Sequence, residues 1–346
     1  MAVTVWRAVA LVLLAAGAGC AHPGQARDAV QVIESGIEID RRSPVYWVSS
    51  DELLFSAPTD EFVMQGSFRK PVSKLTVWNF RTKKITRLAA ADGGLCYYEG
   101  NLAYWESDNS ARRQWTSLGR LRGPMTREER GIRYDGTTCL PYEALPQPPA
   151  RSEEHVFVRL RPEHGFIDMG AQLSTANTPM RLYKPGSLEG IELPLKRREI
   201  QRATIRFFPF KGAYFIESVY FDPSRGYEIA PWPERLVRPV WWLYPDGKVE
   251  EILVPPSIWM RERIVPSKVG LAAISNGFFT ITGAPPYDGA YLVDGKGGRR
   301  LIRGVFDAAD LSSDGCRLAV HRQPEPGLRR PEYWTLTVLA LCQEAR

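Results

Sequence analysis

The stretch Leu311-Ser312-Ser313-Asp314-Gly315-Cys316-Arg317-Leu318-Ala319-Val320 sets a polar turn directly before a β-rich run, and it is the last of six such segments in the chain. Ser, Asp and Gly reverse the chain at low cost, while the apolar residues that follow suit a strand packed on both faces. Towards the N-terminus the same order recurs in SKVGLAAIS at 267–275, FKGAYFIES at 210–218, SEEHVFVRL at 152–160, EGNLAYWES at 99–107 and SSDELLFSA at 49–57. The apolar runs begin near residues 52, 101, 155, 212, 270 and 316. Self-similarity at such a period marks a repeat architecture, in which each unit buries its faces against its neighbours.

A second element interleaves with the first. It is a strand, a tight turn and a strand, as in LTVWNFRTKKITRL at 75–88, RLYKPGSLEGIEL at 181–193, WWLYPDGKVEEIL at 241–253 and AYLVDGKGGRRLI at 290–302. Pro-Gly, Pro-Asp-Gly and Asp-Gly supply the turns. Each unit then reads as four antiparallel strands, and no segment carries sustained helical periodicity. The fold predicted is all-β: a β-propeller of about six four-stranded blades, forming a single domain over 30–346. The last unit stops after Trp334–Leu341, one strand short. The alternating segment at residues 29–39 is predicted to supply that strand and close the ring, which removes an exposed sheet edge.

The first and last repeats, VSSDELLF and LSSDGCRLAV, resemble the Ser-Pro-Asp-Gly-x-x-Ile-Ala-Phe repeat of TolB-like propellers, the kind found in the periplasmic Tol-system translocation protein. Ser313 stands where that pattern has proline. The resemblance implies a blade framework and carries no ligand site.

The N-terminus points to the same compartment. Arg7 precedes the apolar run Ala8–Leu14 and the small residues Ala15–Gly19, which end at Cys20. That is the layout of an export signal over residues 1–19, too short to span a bilayer, and no later window is apolar enough to do so. Gly17-Ala18-Gly19-Cys20 resembles the lipobox of bacterial lipoproteins, with Gly17 where the family has Leu. The resemblance implies acylation of Cys20, a linker over 20–29 and a membrane partner reached through a lipid anchor. Ala21 after the cysteine implies the outer rather than the inner membrane, on its periplasmic side.

The net charge of +6 and isoelectric point near 9.0 are a mild excess spread along the chain. With export, this excludes nucleic acid as a partner. Apart from Cys20 the cysteines are Cys96, Cys139, Cys316 and Cys342. Cys316 opens the second strand of the final unit and Cys342 ends its third. Those strands are antiparallel neighbours, so a Cys316–Cys342 disulfide is predicted. Cys96 and Cys139 are left as a second pair by elimination, against the alternative that all four are buried free thiols.

The β-rich runs are read as second strands, and the second-to-third connections after them as mostly long, at about 58–73, 163–179, 219–239, 277–289 and 323–332, and as lying on one face, a pattern that makes binding surfaces. The longest, at 219–239, carries Phe221, Tyr227 and Trp232 with Arg225 and Arg235, a composition suited to peptide, sugar or anionic groups. Phe68 and Tyr287 are the candidates from two other connections. Asp307 and Asp310 precede the last repeat and could point into the central channel, but as paired acids before a Ser-Asp-Gly turn they are read as turn or capping residues. Catalytic machinery is not found: His22, His155, His164 and His321 lack partners at metal-ligand spacing, and there is no nucleophile elbow, Walker loop or calcium loop. No metal or cofactor is expected. Two readings follow, a binding or scaffolding lipoprotein engaging an envelope protein or glycan, and a propeller-type hydrolase or lyase acting on envelope polymers.

Overall fold

Turn chemistry and strand alternation produce six antiparallel sheets of four strands each in the computed structural model. It describes residues 30–39, 43–65, 67–91, 93–108, 113–129, 139–141, 155–171, 178–196, 203–217, 220–221, 236–237, 240–252, 263–274, 289–294, 297–323 and 334–342. The described residues contain no helix.

The first sheet holds β2 (Val45–Trp47), β3 (Glu52–Gln65), β4 (Phe68–Asn79) and β5 (Ile85–Ala90). The second holds β6 (Gly93–Tyr98), β7 (Asn101–Asp108), β8 (Arg113–Arg120) and β9 (Met125–Glu129). The third is β10 (His155–Arg159), β11 (Phe166–Ala171), β12 (Pro179–Tyr183) and β13 (Gly190–Lys196). The fourth is β14 (Thr204–Phe208), β15 (Ala213–Glu217), β18 (Val240–Leu243) and β19 (Val249–Ile252), with the short pair β16 (Tyr220–Phe221) and β17 (Leu236–Val237) at the stem of the longest connection. The fifth is β20 (Arg263–Ser267), β21 (Gly270–Ile274), β22 (Ala290–Asp294) and β23 (Gly297–Ile302). The sixth contains β24 (Val305–Leu311), β25 (Arg317–Gln323), β26 (Trp334–Ala340) and, outermost, β1 (Gln31–Ile39).

Sheets packed face to face call for apolar middle strands: every residue of Ala213–Glu217 and of Val240–Leu243 is buried, and of these Glu217 alone is charged. One cluster joins the third sheet to the fourth through Ile167, Met180, Tyr214 and Trp241. Another joins the fourth, fifth and sixth through Phe215, Trp242, Ala273 and Phe306. Leu54, Leu75, Leu102 and Tyr104 join the first sheet to the second. Between the second and third, the tie is polar, an ion pair of Glu99 with Arg161. The sixth sheet returns to the first through Trp334, Leu336, Phe55 and Trp78. The segment expected to finish the last unit pairs antiparallel with β26, Gln31 opposite Ala340 and Ile39 opposite Trp334, and shifts register between Glu34 and Glu38.

Cys316 and Cys342 form a disulfide with their Cα atoms 5.0 Å apart, at the ends of β25 and β26, and Cys96 is bonded to Cys139. Disulfides persist outside the reducing cytosol, so the folded chain belongs to a non-cytoplasmic compartment.

Two readings of the sequence need correction. The run at 152–160 is not a second strand: His155–Arg159 is the first strand of its sheet, and the second is Phe166–Ala171. The turn between them is Arg161–Gly165, where Gly165 takes φ 89° and an added Cβ would lie 1.9 Å from the Tyr183 carbonyl oxygen. Only glycine fits there. The connection at 58–73 is not an irregular loop either. β3 and β4 continue as a two-stranded hairpin, with Pro58 opposite Ser73 and Gln65 opposite Phe68, across an irregularity between Pro58 and Phe62. Pro58 and Pro71 suggest a break in the strand, but β2 pairs with β3 only as far as Phe55 and β5 with β4 only as far as Lys74, so the missing N–H groups forfeit no bond to a third strand.

Candidate functional site

In each sheet the first strand lies nearest the axis, and these inner strands surround a channel. A cavity of about 900 Å³ runs along it. Strand direction fixes what stands at each end. Inner strands start at the end served by the long connections and finish at the tight turns, so Arg263 and Asp307 lie towards the first end. Ser49, Glu99, Arg161, Pro209 and Ser313, all in tight turns, line the second.

Asp310 is the junction of this channel. Its carboxylate accepts a hydrogen bond from the Trp47 backbone N–H at 3.0 Å, and its carbonyl accepts from the Trp47 indole N–H at 3.0 Å. The Arg206 guanidinium forms an ion pair with the same carboxylate and donates to the Ala309 carbonyl at 3.0 Å. Trp47 belongs to the first sheet, Arg206 to the fourth and Asp310 to the sixth, so one carboxylate ties three sheets across the bore. Burial holds the Asp310 carboxyl above its ordinary value, against the opposing pull of Arg206 and the Trp47 amide. The reading of Asp307 and Asp310 as turn or capping residues is therefore corrected. Both lie within β24, opposite His321 and Ala319, and both line the channel.

A second group stands at the tight-turn end. The Arg161 guanidinium pairs with Glu99, lies 3.5 Å from Glu163, and sits over the Phe207 ring at 4.1 Å and the Tyr98 ring at 5.0 Å. The Tyr214 hydroxyl accepts from the Arg161 backbone N–H at 2.8 Å and lies 2.7 Å from Nδ1 of His164. Burial raises the Tyr214 hydroxyl above its ordinary value, so it keeps its proton. Burial likewise lowers His164. The Tyr214 O–H can then donate a hydrogen bond to Nδ1 of a neutral imidazole whose own proton is on Nε2.

Of the residues chosen from sequence, Cys20, Tyr227, Trp232, Arg225, Arg235 and Tyr287 lie outside the described residues. Phe221 falls in β16, and Phe68 opens β4 opposite Gln65. The residues gathered around the channel are different ones. Sequence reading passed over Trp47, Arg161, Arg206 and Arg263, because each stands alone in its own segment. It also passed over a pairing of His155 with Asp168, whose carboxylate oxygens lie 2.9 and 3.0 Å from Nδ1. Among the described residues no group of three or more His, Cys, Asp or Glu is placed to hold a metal ion.

No protein-family model matches the chain, and no curated protein is recognisably similar to it. Solved structures with a distant likeness include a streptogramin B lyase, 12% identical over 90% of this chain and 97% of that one, with a TM-score of 0.37. Others are a gluconolactonase from Xanthomonas campestris, 12% identical over 92% and 99% with a TM-score of 0.34, and the Swd1 β-propeller domain of Myceliophteria thermophila, 9% identical over 90% and 99% with a TM-score of 0.35. The propeller assignment rests on the strand pairing above.

Proposed function

We propose that the chain is a binding or scaffolding lipoprotein of the cell envelope, a TolB-like propeller anchored through acylated Cys20 on the periplasmic side of the outer membrane. It takes its envelope partner, a protein or glycan, at the channel, and the long connections around the channel's far end add to the contact. The supporting observation is how the lining is built. Its carboxylates Glu99 and Asp310 are held in ion pairs by Arg161 and Arg206, beside the rings of Trp47, Tyr98 and Phe207. Charges neutralised in place serve recognition better than proton transfer. The hydrolase or lyase reading draws on the His155–Asp168 pair, since a carboxylate that orients an imidazole prepares it to act as a general base.

Two measurements test the proposal. Metabolic labelling with a fatty-acid analogue is expected to tag the wild type and to be lost in Cys20→Ser. Capture of partners from intact envelopes is expected to weaken in Arg263→Ala and, to a lesser degree, in Trp232→Ala/Arg235→Ala, with melting temperatures unchanged. Capture indifferent to both variants would overturn the binding reading.

A further inference from the structure

The charges on the channel wall balance, with Arg161, Arg206 and Arg263 set against Glu99, Asp307 and Asp310. Arg161 and Arg206 are each engaged by a carboxylate. Arg263 differs. It opens β20, its side chain is exposed and lines the cavity, and among the described residues no hydrogen bond or ion pair reaches its guanidinium. What acts on it is the longer-range field of Arg206, Asp307, Glu217 and Asp310. A guanidinium that lines a cavity with donors engaged by no described side chain can turn them to an acceptor that comes from outside.

We propose that Arg263 is the polar anchor of a site for an uncharged, hydroxyl-rich ligand, a short neutral oligosaccharide seated along the channel. This rests on the reading of the channel as the binding site and names its ligand class. Arg263 offers only donors, and Asp307, on the inner strand of the next sheet, offers acceptors. A hydroxyl group does both, so adjacent hydroxyls can bond to both residues at once, the carboxylate having acceptor sites to spare. A free anion in the same place would lie against Asp307 and Asp310, and a cation against Arg206 and Arg263, so like charges select against either. Tyr46, Trp47, Tyr98 and Phe207 add flat aromatic surface to the same cavity, and the electron-rich face of such a ring suits the C–H face of a sugar. The volume, about 900 Å³, is of the size that small-ligand sites reach and too small for a folded domain.

The test is a titration of the full mature chain, followed by tryptophan fluorescence because Trp47 lines the cavity. Chitotetraose and maltotetraose are the neutral probes, with tetraglutamate and tetralysine as charged controls, each at low and high salt. Saturable binding of a neutral tetrasaccharide is expected, insensitive to salt, and weakened on the order of 10-fold or more in Arg263→Ala, as for loss of a hydrogen bond from a charged donor. Among the described residues no hydrogen bond or ion pair holds Arg263, so this variant is expected to melt with the wild type. Three outcomes would overturn the proposal: binding of a charged control alone, sugar binding unchanged in Arg263→Ala, or no sugar binding. If sugars fail while Arg263-dependent capture from envelopes persists, only the ligand class is wrong. If that capture is also indifferent to Arg263, the channel reading falls with it.

Discussion

Trp47 and Asp310, 263 residues apart, are joined twice, backbone amide to carboxylate and indole N–H to carbonyl. This pair connects the first and last sheets on the inner side, next to the axis, while β1 connects them near the rim. Asp310 also carries the Arg206 ion pair. Asp310→Asn is therefore expected to lower stability by about 2–3 kcal/mol, the scale of hydrogen bonds to a charged group plus the cost of leaving their partners unpaired. Chemical denaturation of the two proteins measures this. A midpoint shift no larger than that of an exposed control such as Glu192→Gln would show that the junction carries no load.

His164 makes the fold sensitive to acid. Its folded-state value is lowered, chiefly by burial, so the unfolded chain binds a proton more readily than the native one. Its contribution is thus present above the usual histidine value of 6.5 and is lost as the pH falls through the folded value. Melting temperatures taken at pH steps downward from neutrality are expected to fall in the wild type and to fall less steeply in His164→Phe. Equal slopes would remove His164 from the account.

The two disulfides close loops with sequence separations of 26 and 43 residues. The chain-entropy model values these at about 3.5 and 4 kcal/mol. Cys316→Ser/Cys342→Ser and Cys96→Ser/Cys139→Ser are each expected to lower the melting temperature of the oxidised protein markedly, and reductant to add nothing further to the combined variant. A double variant at either pair that melts like the wild type would refute this.

Removal of residues 21–40 from the mature chain takes away β1 and uncovers one edge of β26. Val32 and Ile33 lose the neighbours they pack against, and Ile39, 2% exposed, leaves the cluster around Trp334. A loss of about 1.5–3 kcal/mol is expected from the fully buried Ile39, with a smaller share from the half-buried Ile33 and Val32. An unchanged denaturation midpoint would make the segment a tether and nothing more.

Much of the blade framework is legible in the sequence, and the channel is not, for a physical reason. Hairpins are local, so Asp314-Gly315 before Leu318–Val320, or Pro245-Asp246-Gly247 between β18 and β19, announces its turn within a few residues. The disulfide at Cys316 follows from the same local register. The misplaced strand at His155–Arg159 shows the limit: a β-rich run after polar residues fits a first strand as well as a second, and the deciding turn, Pro162 to Gly165, comes after it. The channel is assembled from single residues on inner strands as short as Val45–Trp47. Arg206 and Asp310 lie 104 residues apart, and only the closing of the sheets around an axis makes them neighbours. Composition and spacing carry no trace of such a meeting.

The placement of β1 also has a mechanical side. Antiparallel to β26, it starts beside Ala340 at the tight-turn end, which is where residues leading back to Cys20 depart. Under the anchoring proposed above, a tether running from Cys20 would span at most roughly 40 Å when fully extended. Tension on it, directed along the channel axis, pulls β1 lengthwise past β26, so the ladder bonds from Gln31 to Ile39 share the force in shear and do not open one at a time. At the point where the force enters, Leu341 donates its N–H to the Cys316 carbonyl at 2.8 Å and the Cys316–Cys342 bond fixes the end of β26 to β25. The strand that would take the pull is backed by one that is covalently held, which suits the anchored domain proposed above.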